Sequence, residues 1–336
     1  MRRFFPKERQ GKSMVAQTGN GHGKLIKQAL DAAGGEARSA LAASWRRSMS
    51  LYGLDPEDEG RPNTLTDQEL REARDALEPM TRAAQDSLDR LFLAVGDTGC
   101  CVLLTNAEGV TLERRGAAAD DEIFRRWGLW PGAVWSEAVE GTNGIGTALA
   151  ERRPLTIHRD QHFHTRNTAL SCTSHPIYGP TGRLAGLLDV SSCRADATQV
   201  VLGLIAAAVA DAARAIEAQT FRHAFPHARI VLTDDAAGRN TAALLAVDQD
   251  DLVVGATRAA RLALAITDDR IANQLAASEV LGVGAVEADL LNAERGAVRR
   301  ALALSGGNVS AAARALGVSR ATLHRKLHRL GLSNAP

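Results

Sequence analysis

The stretch SGGNVSAAARALGVSRATLHRKLHRLGL, Ser305 to Leu332, is punctuated as two short helices and a tight turn. Asn308 is placed to cap a helix whose apolar positions Ala312, Ala313 and Leu316 fall on one face, and Gly317 supplies the left-handed residue that stops it. Ser319 then caps a second helix, in which Leu323, Leu327 and Leu330 stand at i, i+4 and i+7 and form the buried stripe. Arg320, His324, Arg325, Lys326 and Arg329 are left pointing outward. A glycine turn between two such helices, the second basic on its free face, predicts a helix-turn-helix that lays its second helix in the major groove of double-stranded DNA. Ser319, Arg320 and Thr322, in the first turn of that helix, are expected nearest the bases or phosphates. His324, Arg325 and Lys326 complete the candidate DNA-binding set.

Upstream, Leu290, Leu291, Val298 and Leu302 keep helical spacing and add a preceding helix, although Gly296 inside it costs roughly 1 kcal/mol. From Glu294 onward the elements ER, AL, GN, AAR, LGVSR, TL and RKL follow in order, and the unit resembles the Fis-type DNA-binding domain. That resemblance implies a dimer joined through its leading helices, with two recognition helices on a roughly palindromic site. Charge agrees with it. From Asp289 to the end there are eight Lys and Arg against two acids, a balance of +6, so the rest of the chain, with 32 bases and 37 acids, carries −5. A basic terminal module on a mildly acidic body predicts that nucleic acid is met at one end only.

At 336 residues the chain has room for two or three domains. Four cysteines, two of them adjacent at Cys100 and Cys101, do not form a secreted disulfide framework, and the basic N-terminus lacks the apolar core of a secretory signal. A cytoplasmic location and no membrane partner are expected. TGNGHGKL, Thr18 to Leu25, is not a phosphate loop, because Thr18 stands where the first glycine is needed and Leu25 where the magnesium-binding hydroxyl is needed. Residues 1–20 read as a flexible leader and 21–88 as a helical region. In that region a first helix is expected near Leu25 to Ala33, an amphipathic one over SWRRSMSLYGLDP with Ser44 as its cap, and a long one over Thr66 to Gly96.

Residues 89–220 mix strands and helices. Cys100 to Thr105 and Val110 to Glu113 are predicted as paired strands; Ser174 to Tyr178 and Leu184 to Val190 as a hairpin on the GPTG turn; Val200 to Gln219 as a closing alanine-rich helix. An antiparallel sheet with a pocket on one face follows. The runs SWRRS with GLDP, EGTNGIGTAL, HFH with SCTSHPI, and GRLAGLLDVSS are similar to the sensory half of AcoR-type activators. The resemblance implies a GAF domain, a fold that senses small ligands. Residues 221–284, with ARIVLT and ALLAVDQDDLVVGATRAARLAL, resemble the start of a PAS domain in reduced form, and 285–336 make up the Fis-type unit. The expected class is therefore α+β, with a GAF sensory domain, a reduced PAS-like segment and an all-α helix-turn-helix.

AcoR-type activators carry an AAA+ ATPase between sensor and reader, which opens promoters with ATP. Such a domain needs on the order of 200 residues, and neither that length nor a GxxxxGK[ST] run, an acidic Walker B strand or a GAFTGA loop lies between the two here.

His158, His162, His164, Cys172 and His175 are the densest polar cluster, but HxH with a distant CxxH lacks the regular spacing of a metal site, so no metal is assigned. Trp127, Trp130 and Trp135 lie close together in a chain with few aromatics. Trp127, Trp135, His162, His164, Cys172 and His175 are the candidate contacts for an unknown small-molecule effector; no cofactor is identified. Thr142 and Asn143 read as turn and cap residues. No Ser/His/Asp set or carboxylate pair has a spacing that argues for catalysis, and the expected chain is a dimeric DNA-binding regulator rather than an enzyme. Two alternatives stay open: a thiol redox enzyme using the GAF cysteines, and an adaptor that pairs with a full-length ATPase relative.

Overall fold

The computed structural model describes residues 19–32, 40–60, 63–96, 99–194, 198–233, 243–281 and 286–332, with side chains from 293 onward in the last segment. The chain divides into two compact units, Met1–Gln274 and Leu275–Pro336. Nearly all of the expected leader lies outside the described residues, as do the side chains of Leu290 and Leu291.

In the first unit, β1 (Cys100–Asn106), β2 (Thr111–Arg115), β3 (Leu155–His158), β4 (Ser171–Tyr178) and β5 (Leu184–Ser192) form an antiparallel sheet in the order β2-β1-β5-β4-β3. Side chains alternate across it. Val102, Leu104, Ile177, Leu188 and Val190 face one layer with Leu88, Leu91, Ile205, Val209 and Ile216. Cys101, Leu103, Cys172 and Leu187 face the other, with Phe124, Leu129, Trp135, Ile145 and Leu170. The first layer is the helix pair α4 (Glu78–Val95) and α8 (Gln199–Ala224). By length and composition α8 is apolar enough to cross a membrane, but its Leu202, Ile205, Val209, Ala213 and Ile216 stripe is buried in the core. The opposite layer holds α5 (Asp121–Arg126), α6 (Glu137–Glu140), α7 (Gly144–Glu151) and the loops around them.

Three expected helices differ in the structure. The first, α1 (Gly19–Ala32), starts earlier than Leu25. The second, α2 (Ala40–Arg46), continues as a π-helix over Arg47–Leu51 and ends before Gly53 (φ +65°), so Ser44 is an interior, buried residue and not a cap. The long helix over Thr66 to Gly96 is two, α3 (Asp67–Ala76) and α4, broken at Leu77 (φ −118°, ψ 19°). Pro79 accounts for the break: it has no amide proton to give, and its ring crowds the carbonyl four residues back. Thr66 and Glu69 close a capping box at the start of α3.

A second, three-stranded antiparallel sheet follows α8: β6 (Arg229–Leu232), β7 (Leu244–Val247) and β8 (Val253–Ala256), then α9 (Arg258–Ala263) and α10 (Asp268–Ala272). The order strand, strand, turn, strand, helix is the one expected of the PAS-like segment. The second unit is all-helical: α11 (Ala277–Leu281), α12 (Val286–Leu304), α13 (Val309–Ala315) and α14 (Arg320–Arg329). Val298, Ala301, Ala312, Ala313, Leu323, Leu327 and Leu330 form its core. The molecule is thus α+β, with a five-stranded and a three-stranded antiparallel sheet followed in the chain by an all-helical unit.

Candidate functional sites

In the second unit the sequence punctuation is realised atom by atom. Asn308 Oδ1 accepts from the Ser310 and Ala311 amides at 3.0 and 3.1 Å, Gly317 takes φ +64°, and Ser319 Oγ accepts from Thr322 N at 3.1 Å. Leu323 and Leu327 point into the core; Arg320, His324 and Arg325 are exposed. Lys326 and Arg329 have another occupation: both pair with Glu294 of α12. Arg295 reaches the Leu330 carbonyl from the same helix, through Nε at 3.1 Å. The end of α14 is therefore clamped to α12, while Arg320 and Arg325 make no ion pair among the described residues. Cations on the last carbonyls also complement the helix dipole.

In the first unit the six candidate ligand contacts do not converge. His162 and Cys172 do meet, Nε2 to Sγ at 3.4 Å, beneath α7. The His162 Nδ1–H donates to the Arg159 carbonyl at 2.9 Å, which leaves Nε2 to accept from the thiol. His164 is buried and packs edge-on against Phe163. His175 lies on the other face of the sheet, toward Arg214 of α8, because it is three positions from Cys172 on a strand whose faces alternate every residue. Trp135 is core, its Nε1 donating to Gly128 O at 2.8 Å, whereas Trp127 lines an outer cleft. Among the described residues no three His, Cys, Asp or Glu are grouped to hold a metal. Burial pushes the Cys101 and Cys172 thiols well up, the reverse of what a thiolate nucleophile requires, and holds both His162 and His164 down to about 4.

Two features were not singled out in the sequence. Asp189, fully buried on β5, accepts from Ser174 Oγ at 2.5 Å and Ser191 Oγ at 2.6 Å, and burial raises its carboxyl to about 6. Its signal was a lone acid inside the apolar run of GLLDVSS. The other is a polar clasp at 44–48 and 137–151. Ser44 Oγ donates to Glu137 and lies 2.6 Å from Thr142 Oγ1 and 3.1 Å from Thr147 Oγ1. Arg47 grips Glu137 from Nε at 2.6 Å and reaches Glu151 at 2.9 Å. Next to it Arg166 pairs with the buried Glu140 at 2.7 Å. Asn143 caps α7 by accepting from Gly146 N at 2.8 Å. Glycine is needed at 144 and 146: a Cβ there would stand 2.5 Å from Cys172 Cβ and 2.4 Å from the Glu137 amide. The runs SWRRS and EGTNGIGTAL thus meet in one joint between the helical N-terminal region and the α6–α7 layer.

The MimR N-terminal domain family matches residues 26–217, more than half of the chain. The chain belongs to this family. Residues 290–330 match the Fis family of bacterial regulatory proteins. The acetoin catabolism regulatory protein of Cupriavidus necator is 35% identical over 224 residues, 66% of this chain and 34% of that protein. The acetoin dehydrogenase operon activator AcoR of Bacillus subtilis is 32% identical over 176 residues, 52% of this chain and 29% of that one. The chain therefore spans about a third of the length of these relatives. The crystal structure of the E. coli DhaR(N)–DhaL complex is similar at 17% identity, covering 68% of this chain and 77% of that chain with a TM-score of 0.48. The chain thus joins a MimR-family N-terminal domain to a Fis-type helix-turn-helix.

Proposed function

We propose that this MimR-family chain is a cytoplasmic, homodimeric regulator whose α14 reads an operator and whose GAF-type unit responds to a small molecule. The observation that carries it is the division of labour on α14: Lys326 and Arg329 are spent on Glu294, while Arg320, beside the Ser319 cap, and His324 and Arg325 in the middle of the helix stay exposed. The N-terminal end of a recognition helix meets base edges and phosphates. Ligand sensing is supported by the kinship with regulators of catabolic operons. Binding that favours one of two arrangements of the readers would change operator affinity by its differential affinity for them. The test is a gel-shift titration at fixed salt on the promoter region adjoining the gene. Arg320→Ala with Arg325→Ala is expected to abolish the specific shift while the circular-dichroism melt is unchanged. An unaltered shift would remove α14 as the reader.

A further inference from the structure

We propose that the outer cleft floored by Trp127 and Trp130 binds a small organic monocarboxylate, its apolar body on the two indoles and Pro131 and its carboxylate on the Arg125 guanidinium. This rests on the sensing function proposed above and gives that function a place, outside the sheet and away from the His/Cys cluster. Of the four tryptophans, Trp45 and Trp135 are buried, but Trp127 and Trp130 are only partly buried and both line a cleft of about 740 Å³. That volume suits a small ligand, and two partly buried indoles supply the apolar wall such sites have.

The floor is held in place before any ligand arrives. Leu129 is fully buried in the core beneath this loop, Gly132 N donates to Thr111 O at 2.8 Å, Ala133 N to Trp130 O at 3.1 Å, and the Trp135 Nε1–H to Gly128 O. A preformed wall spares the ligand the cost of ordering it.

Charge selects the class. Arg126 pairs with Glu122 at 3.5 Å and Arg166 with Glu140 at 2.7 Å. Arg125 makes no ion pair among the described residues, and its Cζ stands 4.1 Å from the centre of the Trp130 ring. Arg114, 8% exposed, lies over the same ring at 4.5 Å; its Nη1 is bound to Asp121 and its Nε and Nη2 are buried without a partner among the described residues, so it adds positive potential but no guanidinium edge that a ligand in the cleft can reach. One uncommitted guanidinium takes one carboxylate through a charge-assisted, bidentate bond. Glu59, which also lines the cleft, repels a second negative charge.

The test is isothermal titration of the full chain with benzoate and hexanoate, with benzamide as the neutral match. Saturable binding of either acid, with benzamide and Arg125→Ala each weakening it roughly tenfold or more, is the expected result. Arg125 is exposed, so its loss leaves the fold intact. Trp130→Ala, read in parallel, is expected to weaken the acids and the amide together, since it removes the shared wall. No binding of either acid, equal binding of acid and amide, or indifference to Arg125→Ala would overturn the proposal. Operator binding is scored separately by the Arg320 and Arg325 variants, so failure of one leaves the other standing.

Discussion

Asp189 is a single carboxyl set among apolar neighbours, and its protonation is tied to the stability of the sheet. Its folded pKa is raised from the ordinary 3.8 to about 6, by burial against the opposing pull of two serine hydroxyls. The folded state therefore binds the proton more tightly than the unfolded chain. The stabilisation is complete below pH 3.8 and is lost as the pH rises through 6, a change of roughly 3 kcal/mol. Asp189→Asn has no such proton to lose. Urea midpoints measured from pH 4 to 7 are expected to fall for the wild-type chain relative to this variant, and parallel profiles would refute the assignment. His162 works in the opposite sense: held down to about 4 by burial, it stabilises the fold above its unfolded pKa and loses that contribution as the pH falls toward 4. His162→Gln should flatten the acid limb of the same profile. At this scale the sequence told little. His162 and Cys172 were visible as types, but which face each occupied depended on strand limits, and the parity of position 175 sent His175 to the other side.

At the scale of elements, the helix-turn-helix was legible because each of its signals is local: Asn308, Gly317 and Ser319 act on backbone atoms two or three residues away. Ser44 was misread for the opposite reason. Its partners Glu137, Thr142 and Thr147 are more than ninety residues distant, and no periodicity announces them. The clasp they form makes a further prediction. Glu137 is 3% exposed at its side chain and Arg47 is its only cation among the described residues, so Arg47→Ala strands a carboxylate in the interior. The expected cost is roughly 2 kcal/mol, below that of a fully buried pair because the Arg47 side chain keeps 29% of its surface in water. A urea midpoint unmoved by Arg47→Ala, or equally lowered by Arg47→Lys and Arg47→Ala, would show that the charge pair does not hold the π-helix to α6.

Over the whole molecule, the sequence shows a basic C-terminal stretch and a mildly acidic remainder, but not how α14 rations its cations. Glu294 decides that. It neutralises Lys326 and Arg329, and these contacts hold its own carboxyl below the usual range. DNA affinity from phosphate contacts is sequence-independent and scales with the number of cations released to the backbone, whereas base contacts carry the specificity. On the function proposed above, Glu294, by occupying two cations at the rear of α14, limits the first term and leaves the second to Arg320 and Arg325. Glu294→Gln frees both side chains. Affinity for random-sequence DNA is then expected to rise, the slope of log affinity against log salt to steepen by roughly 1 to 2 per reader, and the ratio of specific to non-specific binding to fall. Fluorescence anisotropy on operator and scrambled duplexes, between 50 and 200 mM salt, measures all three. If the slope stays the same while the melt of the reader drops, Lys326 and Arg329 are structural ties that never face DNA, and the division of labour along α14 is set by the fold alone.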